Sequence, residues 1–155
     1  MKTTLVNYCL AFMVLFGTFS CSEDEAPLET PNETSVADEI LRLVNEHRQG
    51  QGLPVLEKSS TADQLAIEHS RYMIAQGEIS HDNRDAKFDE LKDKENARGF
   101  GENVAFGQSS AQSVMTAWLN SSGHRANIEG NYTHIGIGAV TDENGRYYYT
   151  QIFYR

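Results

Sequence analysis

Cysteine is scarce in this chain, and its scarcity limits the chemistry available to a folded domain. The 155 residues include two cysteines, Cys9 and Cys21. Cys9 lies inside an apolar N-terminal run, so Cys21 alone remains for the part of the chain beyond that run. A single cysteine cannot form an intramolecular disulfide, and the residues after Cys21 contain no thiol nucleophile. The domain must therefore be stabilised by its own apolar core.

Positive charge is also scarce. Lys and Arg number 13 against 22 Asp and Glu, which gives a formal net charge of −9 at pH 7. Nucleic acids and anionic membrane surfaces attract proteins through clustered positive charge. The acidic balance therefore argues against nucleic acid as a partner and against a membrane held by the surface of the domain.

Long apolar runs are absent except at the N-terminus, where residues 5–19 are too few for a comfortable membrane-spanning helix. Lys2 precedes this run and small residues follow it, which is the order of regions in a signal peptide. Cys21 directly after the run resembles a bacterial lipobox, in which the cysteine becomes the lipidated first residue. A plain secretory signal with an incidental cysteine is the alternative. We therefore expect a signal peptide over residues 1–20.

Residues 21–35 are acidic and rich in Pro, Ser and Thr, with almost nothing to bury. This composition is typical of a solvated tether, which would connect a lipidated Cys21 to the domain. The acidic run 22–25 also resembles export signals of surface lipoproteins. We predict an exported bacterial outer-membrane lipoprotein, held at the membrane only by its lipid anchor, with one domain over residues 36–155. Whether that domain faces the periplasm or the cell surface stays open.

Apolar spacing and end signals predict the first two helices of the domain. Ser35 is a candidate N-cap for a helix that Gly50, together with the glycine and proline after it, brings to an end. A second helix begins near Ser59 and ends at Gly77, a natural C-cap. His47 and His69 fall on the buried faces of these helices, where we expect hydrogen-bonded core histidines.

The rest of the domain divides into a charged segment, a helix and a hairpin. Residues 83–98 carry mostly charge and predict a short surface helix or loop. A third helix over 110–119 buries Val114, Ala117 and Trp118. Residues 133–140 and 147–153 read as an antiparallel hairpin around a turn, and the glycines at 136 and 138 let another element approach one face. Helices followed by a hairpin indicate an α+β sandwich.

Three polar residues stand beside glycine or small residues at the ends of these elements. His81 follows the second helix, Glu102 lies in a glycine-flanked segment that we read as a turn, and His124 follows the third helix. Two histidines and a carboxylate suit three kinds of site. They bind a divalent metal, perform general acid–base catalysis, or form a buried hydrogen-bond network that fixes loops to the core. The residue types alone leave all three open.

An ordered set of segments resembles the CAP superfamily, which includes cysteine-rich secretory proteins, insect venom antigen 5 and plant pathogenesis-related proteins. The match is greatest to its bacterial, disulfide-free branch and covers residues 36–155. The segments are Ser80-His81, Gly101-Glu102-Asn103-Val104-Ala105, the run from Trp118 to Ile128, His134-Ile135-Gly136-Ile137-Gly138, and Tyr149-Thr150-Gln151-Ile152-Phe153. A single segment would be weak evidence, whereas the ordered set is specific.

The resemblance implies a three-layer α-β-α sandwich with a central antiparallel sheet and a cleft lined by two histidines and two acidic residues. His81, Glu102 and His124 match three of those positions, and Ser121 stands at the fourth, where the family carries a second glutamate. Losing that carboxylate weakens a charge-neutralised metal site. A weak Zn²⁺ site at His81 and His124, completed by water, is the metal expectation.

The expected function is a binding module that holds a small molecule, a lipid, a metal ion or a protein partner in the cleft of His81, Glu102, His124 and Ser121. The first alternative is a hydrolase of peptides or esters, because a His/Glu pair beside serines activates water or a hydroxyl in other enzymes. Against it, the chain has no nucleophile elbow, no zinc-protease helix and no usable cysteine. An inert structural envelope protein is the second alternative. No residue is assigned as catalytic, and His81, Glu102 and His124 are the candidates if the protein is a hydrolase.

Four further polar residues receive structural interpretations. Asn103, Arg125 and Asn127 are expected to hold loop backbone rather than touch a ligand. His134, at the start of a strand, either lines the cleft or is simply exposed.

Overall fold

The computed structural model describes residues 35–155. The expected signal peptide, the lipidated Cys21 and nearly all of the tether therefore lie outside the described residues. Within 35–155, no helix has the length and apolar character needed to cross a membrane. The elements in chain order are α1 (Val36–Gly50), β1 (Glu57–Lys58), α2 (Ser60–Gln76), α3 (Arg84–Glu95), β2 (Phe100–Phe106), α4 (Ala111–Asn120), α5 (Ser122–Ile128), β3 (His134–Thr141) and β4 (Tyr147–Tyr154).

Local capping chemistry sets the helix bounds. The Ser35 hydroxyl accepts a hydrogen bond from the Asp38 amide at the start of α1, and Ser59 does the same for α2. Gly77 ends α2 at a φ of 75°, a conformation that glycine adopts without a steric penalty. These bounds agree with those predicted from the sequence. Residues 83–98, read as a helix or loop, include the 12-residue helix α3.

Four strands form one sheet in the order β1-β3-β4-β2. The β3–β4 hairpin and the β2–β4 pair are antiparallel, whereas β1 adds two residues in parallel to β3. The central sheet is therefore antiparallel as expected, apart from this short addition at one edge.

Glu102 was wrongly expected in a turn. It lies in the middle of β2 and pairs with Ile152 of β4. The glycine before it serves a different purpose, because a Cβ atom at Gly101 would come within 2.6 Å of the Tyr132 hydroxyl. Gly101 thus marks a close side-chain contact against a strand rather than a change of chain direction.

The sheet is covered by helices on both faces, which confirms the three-layer sandwich. On one face, α2 and α3 pack against Phe100, Ile152 and Tyr154. On the other face, α1, α4 and α5 pack against Ile135, Ile137 and the inward rings of β4. Because side chains alternate along a strand, β2 and β4 contribute side chains to both cores.

The free edge of β2 is closed by side chains. The outward carbonyl oxygens of Phe100, Glu102 and Val104 accept hydrogen bonds from Tyr132 Oη, Asn127 Nδ2 and Trp118 Nε1, at 3.4, 3.1 and 3.2 Å. An uncovered strand edge is a template for pairing with another chain. Closing this edge also fixes β2 against α4 and α5.

Helix α2 lies directly on β3, as the glycines at 136 and 138 suggested. A Cβ atom added at Gly136 would overlap backbone atoms of Ala62 and Asp63, and one at Gly138 would overlap the backbone of Ala66. The amide of Ile137 donates a 2.8 Å hydrogen bond to the Asp63 carboxylate in the same contact. The distance between α2 and the sheet is thus set by the absence of side chains on β3.

Gly136→Ala should lower the free energy of unfolding by about 3 kcal/mol, since backbone atoms of α2 must move to admit the methyl group. Gly123→Ala is the matched control, because a Cβ atom at Gly123 meets nothing within 4 Å. That variant should stay within about 1 kcal/mol of the wild type. Urea denaturation measures both, and equal stabilities of the two variants would contradict the close packing.

Candidate functional site

The carboxylate of Glu102 is the centre of the candidate site. Its side chain is 1% exposed and lies on the α2/α3 face of β2. Oε1 is 2.8 Å from Nδ1 of His81 and 3.9 Å from Nε2 of His69. Oε2 forms an ion pair with Nζ of Lys87. A buried carboxylate therefore receives partners from α2, from the loop after it and from α3.

His81 presents one ring nitrogen to solvent. It lies in the loop after α2, and its side chain is half-exposed. A carboxylate accepts hydrogen bonds but cannot donate them, so Nδ1 of His81 carries the proton that Glu102 receives. The neutral ring then has its lone pair on Nε2. His81 is accordingly an oriented hydrogen-bond acceptor, and a base if a proton is offered to it.

His69 holds the loop that carries His81. It is buried on α2, and its Nε2 lies 2.8 Å from the carbonyl oxygen of Ser80, which can only accept. The proton of the neutral ring is therefore on Nε2. Burial is the main cause that lowers the pKa of His69, and the bond to Ser80 opposes it. The core histidine expected from the sequence thus contacts the residue directly before His81.

His47 is half-buried, with Nε2 at 2.9 Å from a carboxylate oxygen of Glu129. It lies on α1, which packs on the opposite face of the sheet from α2. The expectation of a hydrogen-bonded histidine holds, although its ring is less buried than that of His69.

Lys87 is the site residue that sequence reasoning missed. The charged segment around it was read as surface, yet its side chain is 7% exposed and its ammonium group reaches Glu102. Burial lowers the pKa of Lys87, and the hydrogen bond and charge of Glu102 oppose that shift. The sequence pattern that could have identified Lys87 is its position one helical turn before the apolar Leu91, because residues i and i+4 share a helix face. Lys87 and Leu91 are the buried residues of α3.

His124 lies on the other side of β2, at the polar end of an apolar groove. It is carried by α5 and is half-buried. Its pKa is lowered mainly by desolvation and, to a smaller extent, by the nearby His81. The groove has a volume of about 310 Å³, and Ser121 lines it beside His124. Its apolar lining includes Ile79, Val104, Phe106, Ala117 and Trp118. The structure thus brings Ser121 and His124 together.

Ala117 was wrongly expected in the core. It is exposed and lines the groove, at the margin of the buried face of α4. Trp118 is a core residue, as expected, with 1% of its surface exposed.

The amide residues near the site hold backbone in place. Asn103 Nδ2 donates to the carbonyl oxygen of His124 at 3.1 Å, which fixes the start of α5 against β2. Asn127 Nδ2 donates to the carbonyl oxygen of Glu102 and to Asn103 Oδ1. Arg125 donates to the carbonyl oxygen of Leu119 at 3.1 Å. The structural interpretation of these three side chains agrees with their contacts.

His134 lies away from the cleft. It is on β3, stacks on Tyr154, and has its Nε2 at 3.7 Å from the Glu57 carboxylate of β1. Strand β1 forms the opposite edge of the sheet from β2. Of the two expectations for this residue, partial exposure outside the cleft is the one observed.

The donor set fits a divalent metal poorly at Glu102. Both carboxylate oxygens have partners, one of them a positively charged ammonium group. In residues 35–155, no group of three or more His, Cys, Asp or Glu side chains has an arrangement able to hold a metal ion. Both oxygens of Glu102 are thus already engaged by protein groups. The weaker two-histidine Zn²⁺ site at His81 and His124 stays a prediction.

A serine nucleophile also lacks its base. Among the side-chain hydrogen bonds of residues 35–155, neither Ser80 nor Ser121 bonds to the ring of His81 or His124. The Ser80 hydroxyl instead accepts a 3.4 Å hydrogen bond from the Asp82 amide. The pairing of nucleophile and base that marks an activated serine is missing here.

Comparison with known sequences gives one family. The family model described as "CAP: Cysteine-rich secretory protein family" matches residues 41–153. The uncharacterized protein YkwD of Bacillus subtilis is 34% identical over 133 residues, covering 78% of this chain and 52% of the relative. The uncharacterized membrane protein YlbC of the same species is 35% identical over 127 residues, covering 78% and 35%. The chain thus spans about half the length, or less, of these curated relatives.

Solved structures show the same fold. An extracellular protein containing an SCP domain from Bacillus anthracis has a TM-score of 0.67 and 32% identity, covering 84% of this chain and 45% of that chain. An outer surface protein from Borrelia burgdorferi has a TM-score of 0.68 at 19% identity, covering 75% and 89%. At that identity the second likeness concerns the fold alone.

The free energy of unfolding should fall as pH decreases from 7 to 5. Burial lowers the pKa of His69 and His124 in the folded state, so below about pH 6.5 the unfolded chain binds more protons than the folded one. His69→Gln keeps a side-chain donor for the Ser80 carbonyl and should reduce this pH dependence. His134→Gln is the control, and urea denaturation across the pH range is the measurement. An unchanged slope in His69→Gln would contradict a buried neutral imidazole.

Proposed function

The chain belongs to the CAP, or cysteine-rich secretory protein, family, and we propose that its domain is a binding module for a small amphipathic ligand. The observation that carries the proposal is the groove that ends at Ser121 and His124. Its lining combines apolar side chains with the polar side chains of Gln108, Ser121 and His124. Ligand sites commonly combine an apolar lining with a few placed polar groups.

The apolar end would hold the hydrocarbon part of the ligand. Ile79 and Phe106 are 49% and 37% exposed, which is unusual for side chains of their size. Both line the same groove, together with Val104 and Ala117. Their grouping favours a ligand that buries them, since isolated exposed apolar residues would need no explanation.

The polar end would select the head group. Burial keeps the pKa of His124 below its usual value, so its ring is neutral at neutral pH and offers one donor and one acceptor. His81 is near His124 without lining this groove, and it offers an acceptor at Nε2 because its Nδ1 donates to Glu102. The chain also carries a net charge of −9. We infer that a ligand with a hydrogen-bond donor, neutral or cationic, is preferred over an anion.

A hydrolase is the second candidate, and one observation favours it. A histidine that donates from Nδ1 to a buried carboxylate and presents Nε2 is the arrangement of an oriented general base. Water would then be the nucleophile, because the serines nearby do not bond to either ring. We rank this candidate second for lack of a paired nucleophile.

We also propose that the protein is exported and anchored by an acylated Cys21. The sequence order of charged start, apolar run and cysteine supports the proposal. So does a similar protein from Bacillus anthracis, which is named extracellular. The domain would then present its cleft outside the cytoplasm on an acidic tether.

Octylamine should bind the groove of the full chain and saturate chemical-shift changes of the Ile79 and Val104 methyl groups in a ¹³C NMR titration. Octanoate, with the same chain length, should bind more weakly. His124→Ala should weaken octylamine binding roughly tenfold, which is the effect of one lost hydrogen bond of about 1.4 kcal/mol. His134→Ala is the control and should bind like the wild type. Shifts that do not saturate, or that are unaffected by His124→Ala, would refute the binding site.

An ester with the same acyl chain length distinguishes the binding module from the hydrolase. Turnover of p-nitrophenyl octanoate should be no faster in the wild type than in Glu102→Gln. A loss of turnover of tenfold or more in both Glu102→Gln and His81→Ala, with folding intact, would make the hydrolase the better account.

Cells that express the full chain with a bacterial lipoprotein pathway should incorporate labelled palmitate into it. Cys21→Ala should abolish the label, because acylation needs the thiol, whereas Cys9→Ala should retain it. Gel autoradiography is the measurement. Equal labelling of both variants, or release of the unlabelled wild type into the medium, would exclude the lipid anchor.

A further inference from the structure

The buried charge of Glu102 requires a positive partner, and the structure supplies it from α3. A carboxylate withdrawn from water is strongly disfavoured unless it is paired. Nδ1 of His81 donates a hydrogen bond to Oε1. Lys87 faces Oε2, and neither Nζ of Lys87 nor that oxygen has a further hydrogen-bond partner in the described part of the chain. The ion pair is therefore the charge compensation that each group receives.

Lys87 lies behind Glu102 rather than in the ligand groove. It lines a separate cavity of about 210 Å³ between α2 and α3, together with His69, Tyr72 and Asn83. That cavity and the groove at His124 have no lining residue in common. A ligand in the groove would thus not touch Lys87, whose contact toward the cleft is its ion pair with Glu102.

We propose that Lys87 is a positioning residue whose buried ammonium group balances the negative charge of Glu102. Its ammonium group holds the Glu102 carboxylate in one orientation, and the carboxylate in turn keeps the proton of His81 on Nδ1. The positive charge of the same ammonium group also repels a divalent metal ion from the carboxylate. The cleft is accordingly built for an organic ligand, and Glu102 becomes a metal ligand only when Lys87 is removed.

The chemistry of buried ion pairs supports a role beyond stability. Replacing such a pair with apolar residues of similar volume is often neutral or stabilising, so packing alone does not explain its presence. Leu91, one turn along the same face of α3, is buried as an apolar side chain, whereas position 87 carries a charge. A lysine at position 87 is better explained by what it does to Glu102 and, through it, to His81.

Zinc titration of the full chain by calorimetry tests the proposal. Lys87→Met should bind Zn²⁺ at least tenfold more tightly than the wild type, because it frees a carboxylate beside His81. The double variant Lys87→Met with Glu102→Gln should lose that gain. Lys92→Met is the matched control, since Lys92 is on the same helix with half of its side chain exposed. Equal zinc affinity in Lys87→Met, Lys92→Met and the wild type would overturn the proposal.

A second measurement needs no variant and holds if Lys87→Met fails to fold. In ¹H–¹⁵N NMR of the wild type at pH 8, the Lys87 ammonium group should exchange with water far more slowly than that of Lys92. The ring of His81 should show a protonated Nδ1 and an unprotonated Nε2. Rapid exchange at Lys87, or the opposite tautomer of His81, would refute the inference.

This inference deepens the proposed function, on which it rests for the role of the cleft, but its readouts are metal affinity and proton position. Failure of the octylamine titration would leave the zinc and NMR results interpretable. Failure of these results would leave ligand binding in the groove untouched, since Lys87 does not line it.

Discussion

The buried carboxylate of Glu102 is the constraint on which this site depends. One negative charge inside the domain requires Lys87 from α3, orders His81 in the loop after α2, and lies 3.9 Å from His69. Each partner comes from a different stretch of chain, so the carboxylate joins α2, the loop after it and α3. The site is thereby assembled by charge pairing as much as by packing.

Strand β2 serves the site from both of its faces. Glu102 points toward α2 and α3, whereas Asn103, the next residue, points the other way and holds the backbone of His124. Alternation along one strand therefore positions both imidazoles. Helix α2 can place His69 and its following loop so close to the sheet because β3 has no side chains at Gly136 and Gly138.

Much of this was predictable from the sequence, and the errors have physical causes. Caps such as Ser35 and Gly77 act locally, so they were correctly identified. Glu102 was wrongly placed in a turn because the glycine before it is typical of turns. A glycine is needed at position 101 for another reason, which is the close contact with the side chain of Tyr132, 31 residues later in the sequence. Lys87 was missed because a lysine among charged residues usually faces water, and its partner lies on another element. Tertiary pairing of this kind leaves little trace in local patterns.

The central claim is that Lys87 and Glu102 compensate each other inside the domain. A double-mutant cycle on the free energy of unfolding, with Lys87→Met, Glu102→Leu and both together, tests it most directly. Each single variant leaves one charge buried alone and should lose about 3 kcal/mol or more, while the double variant should recover most of that loss. Strictly additive losses in the double variant would contradict the account.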